Sequence, residues 1–441
     1  LANSQYRFSD RISSVITTLT SRIGGKLMTK SKLQFTAVGL ALTLFASSGI
    51  ALADDDGATT TYKFGGYAKF DAMFTEYSDF TPGGNELMRQ FYWAPGVPVN
   101  GFGEADSSED WSADFQGRET RLNFRVDHKT AGGNSVTAFV EMDFFTDPDG
   151  NEVVSNSYSP RLRHAFIKYD KWTFGQTWST FQDVAALPEA LDFVGPAEST
   201  TFIRQAMIRY TSGPFEIAVE NPEEWMSGNY TARGYSTMPD LIGRYTFSMD
   251  GGSYIKVAGL LRNIKTEETD GGSHLDETAW GISVSTKINI GYGDLRAMVT
   301  HGDGVGRYIG LGFVRDGYTY DTVLGDDTVV SSFDTAEATA AFVAYRFNWS
   351  DKWRSNIMYG MTSIDYDDNL RAGQLGLNDE GSSFHFNVIH SILPKLDIGA
   401  EIIWGERVQM DTFFNDIVGA EVPTKVDGDF TRFMLSAKYA F

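Results

Sequence analysis

Thr431-Arg432-Phe433-Met434-Leu435-Ser436-Ala437-Lys438-Tyr439-Ala440-Phe441 is the last segment of the chain, and it alternates strictly in polarity. Phe433, Leu435, Ala437, Tyr439 and Phe441 fall on one side of a period-2 strand. The charged residues Arg432 and Lys438 fall on the other side. Apolar residues outward and charged residues inward are typical of a barrel set in lipid with a wet interior. An ordinary amphipathic edge strand is the alternative for this segment alone.

The chain also stops on an aromatic residue. An ending of this kind, with Tyr439 and Phe441 on the same face, is similar to the C-terminal signal by which outer-membrane barrels are recognised for assembly. We therefore predict that these two residues contact the barrel-assembly machinery.

The opposite end of the chain carries targeting information. Met28–Lys32 is basic, Phe35–Phe45 is mostly apolar, and Ala51-Leu52-Ala53 has the small-x-small pattern of a cleavage site. This predicts a signal peptide over residues 28–53, too short and interrupted to be a spanning helix. Residues 1–27 are interpreted as an upstream extension from a wrongly assigned start. Residues 54–441 are then one barrel domain.

Composition excludes several classes of function. The 441 residues include no cysteine, so neither metal nor redox chemistry can rest on thiolates, and we expect no cofactor. The formal net charge of −21 argues against a nucleic-acid partner. The aromatic fraction of 14% suits the girdles that flank a membrane barrel at both interfaces.

The same alternation recurs along the chain and predicts strands rather than helices. Sixteen strands are predicted, over or near residues 62–74, 120–126, 136–144, 164–169, 172–177, 202–210, 215–220, 240–247, 254–262, 279–288, 294–300, 338–347, 353–361, 384–392, 396–404 and 430–441. The alternation breaks within Arg161–Tyr169, which predicts either a bulge there or a wrong strand boundary.

The connections between these strands are of two kinds. Seven are short and rich in Gly, Pro, Asn and Asp, as tight turns require. Eight are long and acidic, near residues 78–113, 146–160, 178–201, 221–239, 264–277, 301–336, 362–381 and 405–428. This predicts an all-β, up-and-down antiparallel transmembrane barrel in the outer membrane of a Gram-negative cell, with short periplasmic turns and long external loops. The acidic loops serve either solvation or divalent-cation bridging to lipopolysaccharide.

Inward-facing positions are rich in Lys and Arg. A lumen lined with such groups favours anions over cations. Glu141 and Asp143 also face inward, so the alternative is that the arginines only neutralise these acids. We expect Glu substitutions at Arg121 and Arg125 to weaken an anion preference. The predicted solute-selecting cations are Arg121, Arg125, Arg209, Arg244, Arg262, Arg296 and Arg354.

The connection Ser179–Thr201 is too apolar for a solvent-exposed loop, since it contains Val184, Leu187, Leu191, Phe193 and Val194. We predict that it folds into the barrel and narrows the channel, with its acids facing the arginine rows. A loop packed at a subunit interface is the alternative. The acids concerned are Asp183, Glu189, Asp192 and Glu198.

Taken together, several motifs resemble the trimeric porins and, within them, the DcaP-like porin family, over roughly residues 60–441. They are Gly117–Phe124, Arg161–Phe166, Phe174–Phe181, Leu191–Pro196, Arg204–Tyr210 and Pro239–Tyr245. The resemblance implies a sixteen-strand barrel, a homotrimer, and passage of small anions such as dicarboxylates and aromatic acids. The resemblance implies the family's anion preference only as far as Arg121, Arg125, Arg209 and Arg244 occupy the matching motif positions.

Members of that family can carry a periplasmic helical segment before the first strand. Only residues 54–61 separate the predicted cleavage site from Tyr62, so we expect no such stalk and a trimer that rests on the barrel walls.

Three other functions are alternatives to a porin. A barrel enzyme, such as a phospholipase or protease, needs a nucleophile with a positioned base, and the six histidines suggest no such set. A gated transporter needs a plug domain before the first strand. A soluble lectin-like sandwich would leave rows of Phe, Leu and Trp in water. A general cation-tolerant porin remains the alternative within the porin class.

Overall fold

The structure, a computed structural model, gives positions for most of the barrel domain. The residues it describes are 50–53, 57–100, 110–146, 150–151, 154–228, 230–231, 234–269, 272–323, 329–367, 370, 376–415 and 420–441. Residues 1–49 lie outside this set, so the predicted upstream extension and most of the predicted signal peptide are not described.

Sixteen antiparallel strands form one closed barrel in the described part of the chain. They are β1 Thr59–Tyr77, β2 Asp110–Gln116 with Arg121–Lys129, β3 Ser135–Asp143, β4 Arg161–Tyr169, β5 Trp172–Trp178, β6 Arg204–Ser212, β7 Phe215–Glu220, β8 Asp240–Ser248, β9 Tyr254–Glu268, β10 His274–Ile290, β11 Gly293–Asp303, β12 Glu337–Asn348, β13 Trp353–Asp365, β14 Asn378–Leu393, β15 Leu396–Asn415 and β16 Ala420–Ala440.

Closure is made by β1, which pairs with β2 on one side and with β16 on the other. On the β16 side, Tyr67 lies opposite Ala440 and Tyr77 opposite Phe430. The wall of backbone hydrogen bonds is therefore continuous, as hydrocarbon requires. The prediction of a sixteen-strand barrel is confirmed.

Strand β2 is interrupted, which the sequence did not indicate. Its first segment pairs with the C-terminal half of β1, with Asp71 opposite Gln116. Its second segment pairs with the N-terminal half of β1, with Tyr67 opposite Arg121. Between them, residues 117–120 leave the ladder in a turn closed by the Thr120 N–H donating to the Gly117 carbonyl, at 3.0 Å. Arg118 and Glu119 are thereby buried near the wall.

The two faces of the wall differ as predicted. On β13, Ile357, Tyr359 and Met361 are exposed, whereas Met358 and Thr362, at alternate positions, are buried. The exposed side chains form an apolar outer surface. Contact of this surface with water would be unfavourable, whereas contact with lipid is favourable. No helix in the described residues is long and apolar enough to cross a membrane.

The predicted bulge in β4 is confirmed. His164 lies opposite Glu141 and Leu162 lies opposite Met142, so Arg163 is the extra residue. The bulge turns the Arg163 side chain inward, where it is almost completely buried.

Three predicted long loops are shorter than the sequence suggested. The connection at 405–428 is mostly strand, because β15 and β16 stay paired as far as Asn415 and Ala420. The connections at 264–277 and 362–381 are shortened in the same way by β9, β10, β13 and β14. Beyond the apolar band the outward positions of these strands are mostly polar, so the alternation disappears while the backbone pairing continues.

The connection after β11 forms structure of its own. Gly317–Val323 pairs antiparallel with Val329–Thr335, and Met226–Gly228 from another connection pairs parallel with the first of these. The two connections are therefore joined by backbone hydrogen bonds on the long-loop side of the barrel.

The ends of the barrel domain meet beside β1. Phe441 donates its N–H to the Gly66 carbonyl, and its ring stacks on Phe64 with centroids 6.0 Å apart, while Tyr439 is exposed on the outer face. Ile50–Ala53, from the predicted signal peptide, forms a strand against Thr59–Tyr62. Cleavage after Ala53 stays a prediction.

Candidate functional site

A row of inward cations contacts segment 178–192, the part of the third long connection that follows β5. Arg209 on β6 donates to the Trp178 carbonyl at 2.5 Å and to the Thr180 hydroxyl at 2.8 Å. Arg244 on β8 donates to the Gln182 carbonyl at 2.6 Å. Cations on two strands thus hold the start of the segment.

The next contacts continue in chain order. Lys256 on β9 lies 2.5 Å from Asp183, whose carboxylate also accepts from the Ser285 hydroxyl on β10 at 2.9 Å. Arg296 on β11 donates to the Leu187 carbonyl. The order of the contacts along the segment follows the order of the strands around the wall.

The far end of the segment is held by charge-assisted bonds. Arg354 on β13 contacts both carboxylate oxygens of Glu189 at 2.7–3.0 Å, a geometry that only a guanidinium provides. Lys69 on β1 donates to the Leu191 carbonyl at 2.5 Å. Asp192 accepts from the Tyr92 N–H at 3.0 Å and lies 3.9 Å from Arg432.

Segment 178–192 therefore lies against the polar face of the strands. Asp183 and Glu189 touch wall cations directly, so they do not face those cations across an open gap. Glu198, further along the connection, is completely buried and accepts from the Ser383 hydroxyl at 2.9 Å. Burial raises the pKa of both the Glu198 and the Asp192 carboxyl.

A second cluster lies where β2, β3 and β4 meet. Arg163 bridges Glu141 at 2.9 Å and Asp143 at 2.6 Å, and Arg161 also contacts Asp143 at 2.9 Å. Arg121 lies further from the same Glu141, at 3.6 Å. Glu141 and Asp143 are thus largely neutralised by Arg161 and Arg163, two residues that the sequence reasoning did not select.

Two cations flank the ring of Tyr67. The Arg121 guanidinium lies 5.1 Å from the ring centroid and the Lys438 ammonium lies 4.1 Å from it. Lys438 forms no ion pair within the described residues, and Arg121 shares its carboxylate with Arg163. The Tyr67 corner, defined as Tyr67, Arg121 and Lys438, also borders Glu119, which accepts from the Tyr67 hydroxyl at 2.9 Å. Because Glu119 is itself paired with Lys69, neither cation of the corner has a carboxylate to itself.

Arg204 is a third cation of this kind. Its guanidinium lies 4.8 Å from the Trp178 ring, and its Nη1 is buried without a hydrogen-bond acceptor in the described part of the chain. The sequence signal was present, since Arg204 begins the Arg204–Tyr210 motif, but period 2 places Arg204 on the same face as Ala206 and Ile208, which predicts an outward direction.

The remaining predicted cations have other surroundings. Arg262 is buried near the long-loop end, 2.8 Å from Asp316 and 3.4 Å from Asp240. Arg296 also contacts Asp294, at 2.5 Å. Arg125 lies close to the short-turn end, about half exposed, and contacts Asp127 at 2.8 Å. Arg125 is thus more exposed than Arg121 and has a closer carboxylate, since Arg121 lies 3.6 Å from a Glu141 that it shares with Arg163.

The structure also brings together Ser383, His385 and Glu401, a set that the sequence reasoning did not find. His385 Nε2 lies 3.3 Å from the Ser383 hydroxyl and Nδ1 lies 3.0 Å from Glu401. Ser383 and His385 alternate on the inner face of β14, and Glu401 lies on the inner face of its neighbour β15. This placement was the only sequence signal that could have indicated the set. All three are completely buried beneath Glu198 and Tyr92, and the serine hydroxyl donates to Glu198.

Comparisons with known proteins agree with this architecture. The family model described as DcaP outer membrane protein matches residues 100–428. The outer membrane channel DcaP of Acinetobacter baumannii has 22% sequence identity and a TM-score of 0.63, covering 88% of this chain and 99% of that chain. An anion-selective porin from Comamonas acidovorans has 10% identity and a TM-score of 0.53, covering 87% and 100% respectively. No curated protein matches the chain.

Proposed function

Because the chain belongs to the DcaP outer membrane protein family and is an outer-membrane porin, we propose that its channel favours small anionic solutes, of the dicarboxylate or aromatic-acid type. The observation that carries this proposal is the Tyr67 corner. Arg121 and Lys438 both point at one ring, and neither has a carboxylate of its own within the described residues. An anion passing there meets two cations whose neighbouring carboxylates, Glu119 and Glu141, are already paired with Lys69 and Arg163.

The other inward cations contribute less to selection because they already have acceptors. Arg244, Lys256, Arg296 and Arg354 each bond segment 178–192 or a neighbouring acid. A fixed ion pair presents a dipole rather than a net charge, and its field falls off faster with distance. We propose that these cations mainly position the segment, and that the segment narrows the lumen.

The reversal potential of the pure protein in a planar bilayer under a salt gradient tests the proposed preference. The reversal potential is expected to have the sign of the equilibrium potential of the anion. Arg121→Glu should move it toward the cation value far more than Arg125→Glu, because Arg125 is solvated, paired with Asp127 and screened by salt. A clear cation preference of the unmodified channel would contradict the proposal and favour the general cation-tolerant porin.

Export and assembly complete the proposal. We propose removal of residues 28–53 in transit, recognition of Tyr439 and Phe441 by the barrel-assembly machinery, and a homotrimer whose contacts are made by barrel walls. The acidic long loops would bridge lipopolysaccharide through divalent cations. The mass of the mature protein and its migration before and after heating test the first and third of these statements.

We propose that Ser383, His385 and Glu401 hold the third long connection rather than catalyse hydrolysis. A serine nucleophile needs access to its substrate and a free hydroxyl, whereas Ser383 is buried and donates to Glu198. Esterase or protease activity of the folded protein that is lost in Ser383→Ala would favour a barrel enzyme instead.

A further inference from the structure

A pocket of about 320 Å³ lies in the long-loop side of the barrel, apart from the Tyr67 corner. Its volume is at the low end of the roughly 300–1,000 Å³ typical of small-molecule sites. Its lining combines apolar surface with one acid and one base that remain available, and consists of Phe202, Ile203, Glu223, Glu224, Trp225, Arg307 and Leu311.

Glu223 and Arg307, the acid and the base of the pocket, form no ion pair with each other within the described residues. In the described part of the chain, the Arg307 side chain makes one hydrogen bond, from Nη1 to the Glu223 backbone carbonyl at 3.2 Å. The Glu223 carboxylate forms no ion pair there, whereas its neighbour Glu224 accepts from the N–H groups of Gly234 and Ser236. A guanidinium fork and a carboxylate therefore line one small pocket with most of their bonding capacity unused.

A buried ion network builds the pocket. Asp316 accepts from the Arg307 N–H, from the Trp225 N–H and from Arg262 Nη1, each at 2.8 Å. Arg262 Nη2 also donates to the Glu223 carbonyl at 2.5 Å. One carboxylate and one guanidinium thus fix the backbone on both sides of the pocket, so the two charged side chains start from defined positions.

The backbone and close packing also fix the apolar lining of the pocket. Leu311 adopts φ +52°, which is uncommon for a residue with a side chain, and its carbonyl accepts from the Trp93 indole at 3.1 Å. Gly312 lies so close to the Trp225 ring that an added Cβ would come within 1.9 Å of it. Strained backbone of this kind concentrates at ligand sites.

We propose that this pocket binds a small zwitterion with an apolar side chain, such as an amino acid of the phenylalanine or leucine type, on its way into the channel. Arg307 would take the carboxylate, Glu223 would take the ammonium group, and Phe202, Trp225 and Leu311 would contact the side chain. This inference rests on the proposed porin function and adds a class of solute that a purely anion-selecting lumen does not explain.

Interruptions of the single-channel current test the inference. L-phenylalanine, N-acetyl-L-phenylalanine and L-phenylalaninamide are added in turn on the long-loop side, and the half-maximal blocking concentration is measured. The zwitterion is expected to block at the lowest concentration, with the acetylated anion and the amide cation each about tenfold weaker, since each loses one charge-assisted contact.

Variants separate the two charged contacts. Glu223→Gln should weaken phenylalanine about tenfold while leaving the acetylated anion unchanged, and it keeps the backbone carbonyl that Arg262 and Arg307 hold. Arg307→Gln should weaken both ligands. Asp351→Asn, in an exposed short turn at the opposite end of the barrel, removes one carboxylate without touching the pocket and serves as the matched control.

Equal block by phenylalanine and its acetylated form, or unchanged phenylalanine block in Glu223→Gln with normal open-channel conductance, would overturn the inference and leave the porin intact. Failure to form channels at all would overturn the proposed function as well.

Discussion

The inner wall beside segment 178–192 and the inner wall at the Tyr67 corner both carry arginine and lysine, but these cations have different bonding partners. Along the segment, Arg244, Lys256, Arg296 and Arg354 are bonded to its carbonyls or carboxylates. At the corner, Arg121 and Lys438 face an aromatic ring and a shared carboxylate. If the proposed selectivity holds, counting inward arginines is a poor guide to it, because the arginines that matter are those without a carboxylate of their own.

The largest expected effect comes from removing a fully engaged cation. Arg163→Met leaves Glu141 without its closest cation and leaves Asp143 with Arg161 alone. Breaking a buried pair costs about 3–5 kcal/mol, and the lower end applies because Arg161 remains. Denaturant unfolding in detergent micelles measures the loss.

Arg125→Met is the matched control for Arg163→Met. Arg125 is about half exposed and contacts Asp127, an arrangement worth less than about 1 kcal/mol. Equal destabilisation by the two substitutions would show that pairing does not distinguish these parts of the wall.

A smaller effect is expected when the segment is loosened at its far end. Arg354→Gln removes the bidentate contact with Glu189 and the contact with Asp397, with a loss of about 2 kcal/mol of anchoring. The single-channel conductance should rise and its fluctuations increase.

Arg346→Gln, whose guanidinium lies 3.4 Å from the same Glu189, should change conductance less than Arg354→Gln does. A conductance that stays at the unmodified value in Arg354→Gln would mean that the segment does not narrow the channel.

The smallest effect concerns pH. Burial raises the pKa of the Glu198 carboxyl, so the stability associated with its neutral form is present at low pH and is lost as the pH rises through that folded-state pKa. Glu198→Gln keeps a neutral group at every pH. The difference in thermal unfolding midpoint, Glu198→Gln minus the unmodified protein, should therefore increase with pH. A difference that does not change with pH would contradict the burial argument.

The strands were predictable from sequence because their signal is local. Each strand in the apolar band alternates with period 2, and even the bulge at Arg163 left a visible break in that alternation. The strand ends at Asn415 and Ala420 were missed because alternation disappears beyond the apolar band.

The pairing of charges was not predictable, because it joins residues that are distant in sequence. Arg354 and Glu189 are 165 residues apart, and nothing in either neighbourhood identifies the other. The same holds for Ser383, His385 and Glu401 beneath Glu198. Sequence reasoning found most of the inward charged residues, but it could not tell which of them hold the third long connection and which remain open to a solute.

The central claim is that the Tyr67 corner, rather than the total of basic residues, sets the anion preference. The reversal potential of Arg121→Gln/Lys438→Gln, measured beside Lys63→Gln/Arg125→Gln, tests it directly, since both double variants remove two positive charges from β1 or the strands that pair with it. The first should lose the anion preference, whereas the second, at the solvated short-turn end beside Asp127, should keep it. Equal shifts in the two variants, or a larger shift in the second, would contradict the claim.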